Sequence, residues 1–129
     1  TFPRMAGELV PAGLFALDPW PRSLIDDLVT IHFVHRGCGV AIAVLALAQL
    51  AASFARPTSC ARRRAALAVA GAALTTAGLG IATVLTGVST VPAAAHQLSA
   101  LLLFACAIVA LHVALQGGPE TQSAHPASR

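Results

Sequence analysis

The chain has 129 residues, 57% hydrophobic and only 10% charged, far below the roughly one-quarter charged content of soluble domains. That balance excludes an ordinary soluble domain and points to membrane-spanning helices. The formal net charge of +3 rests on arginine alone, with no lysine; so few charges predict no nucleic-acid partner, and they matter for orientation in a bilayer.

Residues 1–29 are mixed. Pro3, Pro11, Pro19 and Pro21 interrupt them, and Phe2, Phe15 and Trp20 are scattered through them. They open at Thr1 without an initiator methionine and lack the basic-then-apolar layout of a signal peptide; a chain that opens mid-loop reads as a fragment of something longer. Their acids (Glu8, Asp18, Asp26, Asp27) outnumber Arg4 and Arg22, and an extracytoplasmic loop at the membrane interface, anchored by Phe15 and Trp20, is the expectation. Ser23 with Asp26 resembles a capping box, which predicts a helix starting there and running into the first span.

Three apolar runs follow, at 30–55, 65–87 and 93–115, each long enough as a helix to cross roughly 30 Å of hydrocarbon. Arg56-Pro57-Thr58-Ser59-Cys60-Ala61-Arg62-Arg63-Arg64 forms a basic turn between the first two, and its proline ends the first helix. Val88-Ser89-Thr90-Val91-Pro92 is a tight return with Pro92 placed for a first helical turn. Gly117-Gly118-Pro119 stops the last span, and 116–129 is polar and aperiodic, a disordered tail. The predicted fold is therefore all-α, a polytopic bundle of three transmembrane helices. The positive-inside rule puts the arginine turn and the tail in the cytoplasm, and the N-terminal segment with the 88–92 turn outside. Cys38, Cys60 and Cys106 show neither a disulfide framework nor metal-ligand spacing, and read as small apolar fillers.

Ionisable groups inside a span are costly and usually functional. His35 is the sixth residue of the first run and His96 the fourth of the third, roughly 8 Å and 5 Å below the same outer surface at 1.5 Å per residue. Two imidazoles at matching depth on separate helices are what axial ligation of one haem iron requires, and His35 and His96 are the expected metal ligands. Gly39, Ile42 and Ala46 continue the His35 stripe, and Ser99, Ala100, Leu103 and Ala107 that of His96; such small residues suit a flat ring or plain close packing of helices. Arg36 is placed to hold haem propionates or to snorkel to headgroups. His32, one turn above His35, borders the pocket, offers an alternative ligand or is wetted at the interface. His112 lies roughly 24 Å beyond His96, too far to share the site, and His125 is in the tail. Gly78-Leu79-Gly80 is no phosphate loop; close helix packing accounts for it.

The blocks Thr1-Phe2-Pro3 with Met5, Gly13-Leu14-Phe15 ahead of Pro19-Trp20, Thr30-Ile31-His32-Phe33-Val34-His35-Arg36, Leu79-Gly80-Ile81-Ala82-Thr83 and Ala95-His96-Gln97 resemble, in this order, the C-terminal half of the haem A synthase family of cytochrome oxidase assembly. The resemblance implies two similar four-helix bundles in tandem, with this chain supplying three helices of the second, and His35 and His96 ligating a b-type haem. It implies that haem O is the substrate of the whole protein, its methyl group oxidised to the formyl of haem A. It also implies an N-terminal half beyond this chain, and a home in the bacterial plasma membrane or mitochondrial inner membrane. The sequence differs from the family at His32, where glutamine is common, and at Ser89-Thr90, where proline is often nearby. No catalytic residue is assigned, and a homo-oligomer is left open. The alternative is a b-type cytochrome membrane anchor for electron transfer; a third reading is a structural membrane protein without cofactor.

Overall fold

A computed structural model describes residues 4, 5 and 7–116; the tail expected from 116 onward lies, from 117, outside the described residues. Among these the secondary structure is helical, with no strand. A 3-10 turn at Trp20–Arg22 and a single helical turn, α1 (Ser23–Asp26), precede three long helices: α2 (Leu28–Ala55), α3 (Cys60–Leu85) and α4 (Thr90–Gln116). All three are long and apolar enough to cross a membrane.

The expected capping box does not form. Asp26 pairs with Arg22 at 2.7 Å, and the Ser23 hydroxyl accepts from the Leu17 amide at 3.1 Å. The chain instead breaks at Asp27, extended at φ −104°, ψ 108°, whose carboxylate accepts from the Val29 and Thr30 amides and starts α2 afresh. A side chain that satisfies two of the first free amides is what an N-cap does. The Thr30 hydroxyl donates to the same carboxylate and accepts from the Phe15 amide at 3.0 Å, so the outer loop is fastened to the mouth of α2. Ser23 and Thr30, both fully buried, are the sites of that fastening. Phe15 sits at φ +56°, and its ring meets Trp20 edge-on at 6.0 Å.

At the opposite end Arg56 ends α2 in extended backbone, as the residue before a proline prefers. Ser59 caps α3, so Arg62, Arg63 and Arg64 ride on the first turns of that helix. Arg62 donates to the Ala114 carbonyl at 3.2 Å, a cation satisfying a late carbonyl of α4. The guanidinium of Arg63 lies 4.7 Å over the Phe54 ring. The α3–α4 turn is a Schellman motif: the Val88 amide reaches the Thr83 carbonyl and the Gly87 amide that of Val84.

The buried core is nearly all alanine: Ala46 of α2, Ala65, Ala66, Val69, Ala70 and Ala73 of α3, and Ala110 of α4. Large apolar side chains such as Leu45, Leu101 and Phe104 face outward. Lipid tails reward burial of large side chains no more than helix contact does, so small residues line the interfaces and let backbones approach. Helix α3 packs against both α2 and α4, while no Cα of α2 comes within 8 Å of one of α4. A groove therefore runs between the two outer helices. Cys106 packs against the alanine core, whereas Cys38 and Cys60 are exposed and fill no core.

Candidate functional site

His35 is the eighth residue of α2 and His96 the seventh of α4, roughly 10 Å and 9 Å from the two helix starts at 1.5 Å per residue. Across the groove, where the backbones stay apart, the two imidazoles meet: their centroids are 6.0 Å apart and their planes inclined at 79°. Two imidazoles sharing one metal, each bonded at about 2 Å, place their centroids roughly 6 Å apart. The observed separation fits that requirement.

The donor set narrows which metal group fits. No cluster of three or more His, Cys, Asp or Glu side chains is present among the described residues, so a protein-held tetrahedral ion lacks ligands. A haem iron draws its other donors from the macrocycle and needs only two axial side chains from the protein. Two histidines facing a groove suit that case.

The two rings are held differently. His96 is half-buried, and its Nδ1 lies 2.9 Å from the backbone carbonyl of Thr76 on α3. A carbonyl oxygen can only accept, so Nδ1 carries the proton and Nε2 keeps its lone pair. Metal-binding histidines commonly show this arrangement, the outer N–H fixed by a carbonyl. Beneath the ring is Gly80: a methyl group there would stand 3.0 Å from Cε1 and 3.3 Å from Nδ1 of His96. Close packing of helices is therefore not what occupies Gly80; the imidazole is. Gly78, by contrast, has open space where its side chain would be. The His35 ring is exposed to the groove and has no hydrogen bond among the described residues.

Ser99, on the predicted His96 stripe, is buried and donates to the His96 carbonyl at 2.8 Å. Leu103 packs against the core, as Ala46 does within it, but Ile42 is exposed. Arg36 is half-buried and already partnered. His32 is exposed one turn above His35. His112 is at the far end of α4, 2.8 Å from Gln116, away from the pair. Gly80 and the Thr76 carbonyl are the two features that residue patterns missed. A glycine inside a helix does signal close approach of something, but nothing in the sequence tells Gly80 from Gly78. A backbone acceptor leaves no mark on residue type.

Three membrane-length helices, with two imidazoles meeting between α2 and α4, define the class as a helical membrane protein. The model of the cytochrome oxidase assembly protein family matches residues 1–108, and the chain belongs to that family. It is similar to the Heme A synthase of Nitrosospira multiformis, with 38% identity over 87% of this chain and 32% of the relative. It is likewise similar to the Heme A synthase of Methylobacterium sp. (strain 4-46), with 40% identity over 84% of this chain and 31% of the relative. The chain thus spans about a third of the length of these relatives. No solved structure matches it.

Proposed function

We propose that this chain is the C-terminal haem-binding bundle of a haem A synthase, with His35 and His96 as the two axial ligands of a b-type haem. The observation that carries the reading is the 6.0 Å meeting of the two rings across helices whose Cα atoms stay more than 8 Å apart. A haem held there by His35 and His96 would supply one-electron transfer, since both histidines would be committed to its iron. Oxidation of the haem O methyl group to formyl then belongs to the other half of the complete protein, and this bundle serves it by electron transfer or as structural support. His96 presents Nε2 because Nδ1 is committed to Thr76, and His35 faces it from α2. Arg36 would hold the propionates of such a haem by its planar fork.

The remaining helix of the four-helix bundle closes the α2–α4 groove. The acidic loop lies outside and the arginine end in the cytoplasm, in the bacterial plasma membrane or its mitochondrial equivalent. In the complete protein, His35→Ala and His96→Ala should each abolish the low-spin haem spectrum of this half, while His112→Ala leaves it. A spectrum unchanged in both of the first two variants would overturn the assignment.

A further inference from the structure

We propose that Gly80 and the Thr76 carbonyl form a built seat on α3 that fixes His96 as the anchored member of the pair and leaves His35 as the adjustable one. The inference rests on the haem reading for its consequence, but the seat itself is a property of the chain. Three observations converge on it. The Nδ1–H bond to Thr76 sets both the tautomer and the direction of the ring. The missing side chain at Gly80 provides the space in which the ring lies, since an added methyl would crowd two of its atoms at once. The bond also links α4 to α3, the helix against which it packs, so the ring cannot turn without losing a hydrogen bond or meeting the α3 backbone.

His35 has neither constraint. It stands on α2, reaches the groove by its own side-chain torsions and bonds to nothing among the described residues. Of the two nitrogens offered to an iron, one is pre-aimed by the carbonyl behind its ring; the other adapts. Gly80 and Thr76 are accordingly positioning residues, acting through His96.

The test uses the complete membrane protein carrying this chain, in detergent. In protein expressed without haem supply, 15N imidazole resonances report the tautomer directly, with the His96 signal assigned by its loss in His96→Gln. The expected result is an Nδ1–H tautomer for His96 in the unmodified protein, its loss in Gly80→Ala, and its persistence in the neighbouring Gly78→Ala. In protein loaded with haem, Gly80→Ala should weaken haem retention on the order of 10-fold or more, the usual loss when the outer support of a metal ligand is disturbed, and Gly78→Ala should not. An Nε2–H tautomer in the unmodified protein, or an Nδ1–H signal undiminished in Gly80→Ala, overturns the seat. A Gly80-dependent Nδ1–H signal in a protein that never takes up haem upholds the seat and refutes the ligation instead.

Discussion

Thr30 and Asp27 show how single polar side chains fasten the outer loop to the membrane domain. The Thr30 hydroxyl bond, together with the Val29 and Thr30 amides, holds the Asp27 carboxyl below the usual carboxylate range, against an opposing desolvation effect. A carboxyl with a lowered folded-state pKa contributes its stability in full above the unfolded value, near 3.9, and loses it as the pH falls through the lower folded value. Hydrogen exchange should therefore show the Val29 and Thr30 amides protected at neutral pH and released only below about pH 4. The Asp27→Asn variant should lack this acid step. Thr30→Val keeps the shape but strands the Phe15 amide, and should lower stability by about 1–3 kcal/mol in thermal unfolding. An acid step that persists in Asp27→Asn, or a Thr30→Val midpoint equal to the parent, would rule this account out. The residue patterns pointed to a helix start in this region and placed it at Ser23. They could not show that Ser23 would be taken by the Leu17 amide, because that bond depends on how the outer loop folds back.

At the scale of elements, the span positions were legible because an apolar run of twenty or more residues has few other fates. Their ends were less so. The arginines 62–64 read as a loop from charge alone, yet Ser59 caps ahead of them and they continue the helix. The division of labour among the helices was not legible at all. Alanine is common throughout the chain, and only the structure shows that α3 gathers Ala65, Ala66, Val69, Ala70 and Ala73 into one buried face between its neighbours. That face sets the distance between α2 and α4, and with it the gap that the two histidines bridge. Ala70 is only 2% exposed. Ala70→Leu should overpack the interface at a cost of about 1–3 kcal/mol and lower haem retention in the complete protein, although it touches neither histidine. The equivalent change on the exposed face, Ala68→Leu, should leave retention intact; equal losses in both would show that α3 is not the spacer.

For the molecule as a whole, the exposed leucines and phenylalanines fit a body that sits in a bilayer, and the acidic loop at one end with the arginines at the other predicts its orientation. Cys60, exposed at the start of α3, is a natural reporter of it. In oriented vesicles, a membrane-impermeant maleimide should reach Cys60 from the cytoplasmic side only, and Cys60→Ser should abolish that labelling. Labelling from the outer side would invert the topology and place the histidine pair near the cytoplasm. Depth-matching of His35 and His96 was readable without a structure because α2 and α4 run the same way and helical rise is fixed. The sideways distance between them was not, since it depends on the third helix.

The separation of the α2 and α4 backbones has a mechanical consequence. Where helices interlock, moving one shears a whole layer of side chains, and close-packed layers resist this. Helix α4 is tied to α3 at His96 by the bond to Thr76, whereas α2 comes near α3 but not α4 at the backbone, so a tilt of α2 would change the His35–His96 gap without breaking that bond. The two histidine arms are thus unequally braced, in the manner of a calliper with one arm pinned.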